Sequence, residues 1–380
     1  MKISELVNLA VELDRRSAGA ALSKKLAAIR RAGFGVELAS PGDDQFLAWI
    51  DYEFGGTWSS EAFAGKNIIA RKDGRFAGFA TYDPRGLQYI WLRGLAKQEK
   101  VGIFGPFGVA AEFRGGPLGP LLLNGALCAL RQEGFKQALI AAVGNDKLIA
   151  YYQEHSGAQI AERFDRSRWQ QKKWRAVILA SGEGTNFQSV IDGVAAGSLP
   201  LQLGALLCND ARAHALERAR SAGIPAVSLP WDKSAQSRVD YDARLSQTVR
   251  EWQPDIVLLL GWMHLLDERF VTEFPETLNI HPAFLPLSLT DEVVFPDGSR
   301  TPAFRGARAV RDALAWGSRW TGATVHRVTP QTDRGPVLAR KPLLLNPGDT
   351  EQAIFERLHP LEHRTLATAI MRWVYERPKY

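Results

Sequence analysis

Short apolar runs alternate with amphipathic stretches along the second half of the chain, from about residue 175 onward. The runs AVILA, LGALLCND, PDIVLLLGW and the opening of TLNIHP are nearly continuous in hydrophobic character, which is typical of strands buried on both faces. The segments between them, such as ARAHALERARSAG and RVDYDARLSQTVREW, space their apolar residues as helices do. This alternation predicts an α/β domain built on a parallel sheet that helices cover on both faces.

The first half of the chain has another order, with strands first and a crossover helix after them. NIIARKDGRFAGFATYDP predicts two strands joined by a turn at Lys72-Asp73-Gly74, and VGIFGPFGVA predicts another strand. PLLLNGALCALRQEG then predicts a helix, and QALIAAV predicts a strand. This order favours an α+β domain. The N-terminal segment, with its basic centre SKKLAAIRR, predicts one or two short helices.

These patterns divide the chain into a helical N-terminal extension (1–34), an α+β domain (35–165), a linker (166–175) and an α/β domain (176–380). The linker stretch ERFDRSRWQQKKWR interleaves arginine with Trp169 and Trp174, a combination that can contact nucleic acid. A solvated connector whose tryptophans dock on the domains is the favoured interpretation, and nucleic acid is disfavoured as a partner.

Composition and charge narrow the class of protein. The chain has 380 residues, 46% of them hydrophobic and 23% charged, as in ordinary soluble globular proteins. The net charge of +6 mildly favours anionic partners without choosing among phosphates, carboxylates and nucleic acid. Cys128 and Cys208 resemble small core residues in a reducing compartment. No signal peptide or long apolar run is present, so the sequence predicts a cytoplasmic protein without a membrane partner, and no metal site is predicted.

The segment TLNIHPAFLP places two polar side chains in an otherwise apolar strand. Asn279 and His281 are two residues apart, so both point to the same side of an extended chain. Burying either one unpaired costs about 1–3 kcal/mol. Two interpretations stay open on this pattern alone. Neighbouring backbone satisfies both side chains, or they form a paired reactive site at a strand's carboxyl end, where open parallel sheets bind ligands.

A glycine-containing loop, SGEGTNFQSVI, follows the strand AVILA and opens a helix. Gly182 and Gly184 let backbone amides approach a ligand, and Thr185 and Asn186 can cap the helix start. A helix N-terminus with free amides favours an anion. The loop lacks the Lys-Ser/Thr ending of a P-loop and the third glycine of a dinucleotide-binding turn, so a plain βα turn remains the alternative.

Three motifs in one order, SGEGTN, NIHPAFLP and GATVHRVTPQTDRGPVL, resemble those of the glycinamide ribonucleotide formyltransferases and related folate-dependent N-formyltransferases. The resemblance covers about residues 175–375 and implies a Rossmann-like formyltransferase fold. It also implies site residues of three kinds. They are catalytic Asn279, His281 and Asp333; substrate-binding Gly184, Thr185, Asn186 and Glu362; and the folate-pocket segment with Met263, His264 and Leu265.

The reaction that the resemblance implies is formyl transfer from 10-formyltetrahydrofolate to a primary amine of a small acceptor, which carries a phosphate or another anion. Asn279 and a protonated His281 would stabilise the oxyanion, and Asp333 would orient the imidazole and favour its charged form. Three positions depart from the family pattern. His264 stands where arginine is usual, Arg334 replaces a glycine, and the connection over 287–303 is longer than usual. The insertion suggests that the acceptor differs from glycinamide ribonucleotide, unless it is a surface hairpin without a role.

The first half resembles GNAT-type N-acetyltransferases over about residues 36–162, through GVAAEFRGGPLGPLLLNGALCAL and NDKLIAYYQEHSGAQI. The resemblance implies acetyl-CoA or another acyl-CoA as cofactor, with Arg114 and Gly119 in the pyrophosphate-binding loop. Pro117 stands where that loop has a glycine and has no N–H to donate. Tyr152 matches the tyrosine that protonates the departing thiolate, although a packed core tyrosine is an equal alternative. This half is predicted to transfer an acyl group or to keep only a structural or binding role.

Alternative functions use the same residues. A formyltetrahydrofolate hydrolase would use the same three catalytic residues with water as nucleophile. A methionyl-tRNA formyltransferase is disfavoured, because little chain follows the catalytic domain. An N-acetyltransferase with a folate-fold binding module is a third interpretation, which a positioned acid–base pair argues against. The predicted partner is a small-molecule amine, and a homo-oligomer stays open.

Overall fold

A computed structural model of the chain describes residues 5–13, 18–84, 100–165 and 172–377, and it divides into two compact units. The N-terminal unit comprises Met1–Trp169 with Val374–Tyr380, and the C-terminal unit comprises Gln170–Trp373. Helices and sheets are present in both, so the mixed α/β class predicted from the sequence is confirmed.

The N-terminal unit is a seven-stranded sheet with the order β2-β3-β4-β5-β6-β1-β7. Its strands are β1 (Glu5–Glu12), β2 (Phe34–Leu38), β3 (Lys66–Lys72), β4 (Arg75–Tyr82), β5 (Val101–Val109), β6 (Gln137–Val143) and β7 (Gln159–Asp165). Its helices are α1 (Ala18–Arg31), α2 (Asp44–Glu53), α3 (Trp58–Ala64), α4 (Leu118–Gln132) and α5 (Asp146–Ser156). The β5–β6 pair is parallel, and the other pairs are antiparallel. Helix α4 buries its leucine face against this sheet.

The N-terminal residues form part of the sheet, so the prediction of a separate helical extension over 1–34 is wrong for Glu5–Glu12. This strand pairs with β6 on one side and β7 on the other. Leu6, Val7, Asn8 and Leu9 are all buried, so both faces of this strand are covered. The segment is too short for helical and strand spacing to be told apart by pattern alone. The basic centre does form a helix, α1.

The C-terminal unit has a second seven-stranded sheet, with the order β10-β9-β8-β11-β12-β15-β16. Its strands are β8 (Trp174–Ala180), β9 (Leu201–Cys208), β10 (Ala226–Ser228), β11 (Ile256–Leu259), β12 (Thr277–His281), β15 (Trp320–Arg327) and β16 (Val337–Leu344). Helices α6 (Thr185–Ala195), α7 (His214–Ser221), α8 (Arg238–Glu251), α9 (Glu268–Glu273), α10 (Ala309–Trp316) and α11 (Glu351–Tyr375) accompany it. The first five strands in this order are parallel, as predicted, whereas β15 and β16 run antiparallel.

The structure describes part of the predicted linker and the whole of the insertion. Trp174 and Arg175 begin β8, so they belong to the sheet rather than to a linker. Residues 166–171, with Trp169, lie outside the described residues. The insertion forms a small hairpin of β13 (Glu292–Val294) and β14 (Arg300–Pro302). Across the described ranges, no helix is long and apolar enough to cross a membrane.

Candidate active site

Three polar side chains that are distant in sequence lie together beside β12. The Asn279 amide nitrogen Nδ2 lies 3.3 Å from Asp333 Oδ1, and His281 Nδ1 lies 3.5 Å from Asp333 Oδ2. Asn279 and His281 project from the same side of β12, as their spacing requires. The Asp333 loop, which follows the antiparallel neighbour β15, brings the carboxylate to them.

The loop that carries Asp333 has an unusual backbone. Asp333 adopts a positive φ of 51°, and its Oδ2 accepts a hydrogen bond of 2.7 Å from the Gly306 amide. Gly335 is required by close approach, because a Cβ there would lie 1.7 Å from the Arg327 carbonyl oxygen. Of the two residues after Asp333, the second must therefore be glycine, whereas Arg334 occupies a position that accepts a side chain.

His326 also belongs to this cluster, although the sequence analysis assigned it no role. It lies opposite Asn279 in the β12–β15 register, and its Nε2 is 3.3 Å from both Asn279 Nδ2 and Asp333 Oδ1. His326 lies within the motif GATVHRVTPQTDRGPVL, but only the pairing of β15 with β12 shows that it belongs to the site. Asp333 therefore lies between two buried imidazoles.

Burial and charge act in opposite directions on this cluster. Burial raises the pKa of Asp333, but the His326 hydrogen bond, electrostatic attraction to the two imidazoles whenever they are protonated, and the Gly306 amide outweigh it and hold the pKa below its ordinary value. Burial lowers the pKa of His281, and Asp333 with the Phe304 carbonyl offsets this only in part. Asp333 is thus ionised, and the neutral form of His281 is favoured, whereas the sequence analysis expected the charged form.

The loop after β8 forms the start of α6. Gly184 has a φ of 70°, and a Cβ there would lie 2.9 Å from the Ala215 Cβ, so both conformation and space require glycine. The amides of Thr185 and Asn186 lie in the first turn and have no intrahelical partner, and Gly184 has no side chain that could cap them. These amides and the positive end of the helix dipole can receive an anion.

Asn186 and Glu362 form a second buried pair. The Asn186 Nδ2 donates to Glu362 Oε2 at 3.4 Å, and the Asn186 Oδ1 is buried without a partner among the described residues. Burial raises the pKa of Glu362 to about 7, although the Asn186 hydrogen bond opposes the shift. The structure thus groups the predicted site residues into two hydrogen-bonded clusters, one around Asp333 and one at the start of α6.

The segment after β11 lies across from the α6 loop. The Met263 amide donates to the Ser181 hydroxyl at 2.9 Å, which links the two segments where the strand order reverses between β8 and β11. Ligands of open α/β sheets bind at such a reversal. Met263 borders this crevice, and the apolar side chains of Met263 and Leu265 in the same segment are 58% and 68% exposed. An open cavity of about 570 Å³ lies beside Ser181 and Met263.

His264, which replaces an arginine of the family pattern, turns toward the protein interior. Its ring packs 5.8 Å from Trp231, 5.5 Å from Tyr241 and 5.6 Å from Trp262. Burial and the nearby Arg238 guanidinium lower the pKa of His264. The replacement therefore gives this segment a neutral, packed side chain instead of a cation.

A second candidate site lies in the N-terminal unit, where β5 and β6 separate. Their pairing extends only from Val101 with Gln137 to Phe104 with Ile140. Beyond it opens a cavity of about 1010 Å³, bordered by both strands and by the start of α4. Among the residues that line the cavity are the aromatic side chains of Phe54, Trp58, Phe107, Phe113, Tyr151 and Tyr152.

The start of α4 offers fewer amides to this cavity than the sequence suggested. Pro117 is the N-cap residue, and Pro120, in the first turn, also lacks an N–H. The first-turn amides without an intrahelical partner are those of Leu118 and Gly119. Arg114 lies at the cavity mouth, where its Nε donates to the Val109 carbonyl at 2.9 Å.

Both tyrosines of α5 border the cavity. Tyr152 is 8% exposed and packs edge-on against Phe104 at 6.2 Å, and burial raises its pKa. The Tyr151 hydroxyl is buried, has no hydrogen-bond partner among the described residues, and would lie 2.7 Å from a Cβ at Gly119. Tyr151 is thus a second candidate proton donor that the sequence analysis missed, and Gly119 makes room for its hydroxyl.

The two units of the chain match the sequence models of two different protein families. The sequence model of the formyl transferase family matches residues 174–288 and 294–370, about half of the chain. Phosphoribosylglycinamide formyltransferase of Mycobacterium tuberculosis is 36% identical over 197 residues, which are 52% of this chain and 83% of that protein. The chain belongs to the formyl transferase family.

Other formyltransferases show the same partial coverage. The Escherichia coli phosphoribosylglycinamide formyltransferase is 34% identical over 49% of this chain and 81% of that protein. Glycinamide ribonucleotide transformylase 1 from Symbiobacterium toebii, known from a crystal structure, is 35% identical in sequence. The structural match covers 53% of this chain and 88% of that chain, with a TM-score of 0.47. Within this formyltransferase, the match to the family model is interrupted at residues 289–293, in the insertion.

The acetyltransferase (GNAT) family model matches residues 25–158 of the same formyltransferase. The N-terminal unit is therefore a GNAT-type domain, as the sequence predicted. The match begins inside α1, which agrees with the finding that residues before 35 belong to this unit.

Proposed function

We propose that the C-terminal unit transfers a formyl group from 10-formyltetrahydrofolate to the primary amine of a small, phosphorylated acceptor. The observation that carries the proposal is that Asn279 and His281 of β12 each lie within 3.5 Å of the Asp333 carboxylate. A carbonyl placed beside this cluster would meet an amide donor and an imidazole, the latter supported by an ionised carboxylate.

Asn279 would stabilise the oxyanion that forms when the amine attacks the formyl carbon. One N–H of its amide faces Asp333. The His326 Nδ1 donates to the Arg327 carbonyl at 2.8 Å, so only a doubly protonated His326 can also donate from Nε2 to Asp333. In that form His326 cannot accept from Asn279. The second N–H of Asn279 is then left to donate to the oxyanion. A positioned donor of this kind contributes about 2.7–4 kcal/mol to transition-state stabilisation.

His281 would carry the proton that leaves the attacking nitrogen. Its lowered pKa keeps it neutral in the resting site, so that it can accept this proton while the new C–N bond forms. The ionised Asp333 then stabilises the imidazolium. His281 returns the proton to the folate nitrogen as the old C–N bond breaks, which balances the reaction.

The α6 loop and Glu362 would hold the acceptor. The free amides of Thr185 and Asn186 suit a phosphate, while the buried Glu362 offers a carboxyl group to the amine or a hydroxyl of the same molecule. The exposed Met263 and Leu265 would border the pterin with apolar surface. His264 would support this segment through its aromatic contacts rather than by charge.

Turnover with and without an amine tests this function against the hydrolase alternative. The protein is incubated with 10-formyltetrahydrofolate, and tetrahydrofolate and formate are both quantified. We expect tetrahydrofolate to form only when an amine acceptor is added, with glycinamide ribonucleotide as the first acceptor and its unphosphorylated analogue as the control. Rapid formate release without acceptor would identify a hydrolase instead.

For the N-terminal unit, we propose binding of acetyl-CoA or another acyl-CoA in the cavity between β5 and β6. The diverging parallel strands and the helix start at Gly119 support this proposal. Calorimetry with acetyl-CoA tests binding, and absence of heat would favour a structural role. Tyr151→Phe and Tyr152→Phe, compared for acetyl transfer, then distinguish which hydroxyl protonates the thiolate.

A further inference from the structure

The insertion contacts the loop that carries Asp333, although residues 289–293 lie outside the matched segments of the family model. The Arg334 Nη1 donates to the Leu289 carbonyl at 3.3 Å, and the Arg305 Nη2 donates to the Thr290 carbonyl at 2.7 Å. Two arginines therefore join the inserted segment to the catalytic loop. One of them, Arg334, stands where the family pattern has glycine.

Asp291 is the residue that both arginines share. Its Oδ1 accepts a hydrogen bond of 3.1 Å from Arg305 Nη1 and another from Arg334 Nη2. The Arg305 Nε in turn donates to the Asp333 backbone carbonyl at 3.2 Å. A single guanidinium thus links the Asp291 carboxylate to the catalytic aspartate.

Two residues whose carbonyls these arginines contact have a sparsely populated backbone conformation. Leu289 and Asp333 adopt positive φ angles of 59° and 51°, which residues other than glycine rarely keep without support. The carbonyl of each accepts a hydrogen bond from one of the two arginines. Asp291 therefore positions the two guanidinium groups that donate to the Leu289 and Asp333 carbonyls.

Charge gives the link a second effect. The charged and titratable groups that face His281 are Asp333, His326 and Arg305, and the Phe304 carbonyl accepts from its Nε2 at 2.8 Å. Burial and the Arg334 guanidinium lower the pKa of Arg305, whereas Asp291 raises it. Without the Asp291 carboxylate, the Arg305 guanidinium that faces His281, and the Arg334 guanidinium next to it, would lose their shared counterion.

We propose that Asp291 is a positioning residue for formyl transfer. By bridging Arg305 and Arg334 it holds the Asp333 loop against His281, and it supplies the counterion of Arg305, the guanidinium that faces this pair. The inference rests on the proposed function for its kinetic part. The insertion then contributes to the chemistry of the site and is not a surface hairpin without a role.

Asp291→Asn tests the proposal, because it removes the charge and keeps an acceptor oxygen. The matched control is Glu292→Gln, the same change at the next residue, whose carboxylate pairs with Arg300 across the hairpin. We expect Asp291→Asn to lower kcat about threefold to tenfold with little change in KM, and to move the acid limb of the pH–rate profile downward. Arg334→Gln should move that limb upward, and the double variant should return it toward the wild-type position.

Histidine NMR gives a readout that does not need turnover. His281 is assigned through the loss of its signal in His281→Gln, and its titration is followed in the full chain. We expect its titration midpoint to fall by about half a pH unit or more in Asp291→Asn, and to stay unchanged in Glu292→Gln. An unchanged midpoint in Asp291→Asn, or one that Arg334→Gln does not restore, would overturn the proposal. Failure of the wild-type protein to transfer formyl groups would instead overturn the proposed function.

Discussion

In the C-terminal unit, β12, β15 and the loop after β15 bring four polar side chains to one place, with Asn279, His281 and His326 all within 3.5 Å of Asp333. In the N-terminal unit, two strands separate and leave a cavity of about 1010 Å³ that is lined by aromatic, glycine and proline residues. The first site is built from functional groups that contact one another. The second is built from backbone shape and apolar surface.

This difference decides which changes should damage each site. Removing one functional group from the Asp333 cluster should abolish chemistry and leave binding largely intact, because the groups act on the reacting atoms. The cavity should respond instead to changes in backbone donors at its helix start. The predictions below test that contrast, beginning with the largest expected effect.

Loss of either acid–base partner should give the largest effect. We expect His281→Ala and Asp333→Asn each to lower kcat for formyl transfer about 10²–10⁴-fold, since each removes proton transfer or its electrostatic support. Acetyl-CoA binding, measured by calorimetry on the same variants, should stay unchanged. Steady-state kinetics at saturating folate check the first expectation.

The control for these variants is His214→Ala, at an exposed histidine that begins α7. It should keep wild-type rates. Thermal unfolding of all three variants should show that the fold persists. Near-wild-type formyl transfer by Asp333→Asn would contradict the contrast between the two sites, because the cluster would then have no chemical function.

The sequence predicted the strand at TLNIHP, the helix that follows SGEGTN and most of the parallel sheet, because each has a local pattern of apolar residues. It could not predict that His326 lies opposite Asn279, since that register depends on how β15 pairs with β12. Nor could it place Asp291, whose contacts depend on the path of an insertion without a family pattern. β1 was missed because eight residues fit a strand and a helix almost equally well.

Glu362→Gln should have the next largest effect, on stability as a function of pH. The folded-state pKa of Glu362 is raised by burial from 4.5 to about 7, so unfolding favours ionisation and wild-type stability falls as pH rises through that interval. Glutamine stays neutral. We therefore expect the variant to gain on the order of 3 kcal/mol relative to wild type between pH 4 and pH 8.

Urea unfolding at several pH values measures this difference. Glu356→Gln, at an exposed position of the same helix, is the matched control for loss of one carboxyl group. The difference between the two variants should be absent at pH 4 and complete above pH 7. A constant difference at every pH would show that Glu362 is ionised in the folded protein, and the carboxyl group offered to the acceptor would then be charged before binding.

Restoring an amide at the start of α4 should give the smallest effect and the sharpest test of the cavity. Pro117 caps this helix without an N–H, and one added hydrogen bond to a phosphate contributes about 1 kcal/mol, or roughly fivefold in affinity. Both Pro117→Gly and Pro117→Ala should therefore bind acetyl-CoA about fivefold more tightly by calorimetry. Because alanine supplies the donor without the flexibility of glycine, a gain in both variants identifies the N–H as the cause. A gain with glycine alone would assign the effect to loop freedom, and the helix start would no longer count as a phosphate site. Formyl transfer should be unchanged in either variant, since the Asp333 cluster includes none of the amides at the start of α4.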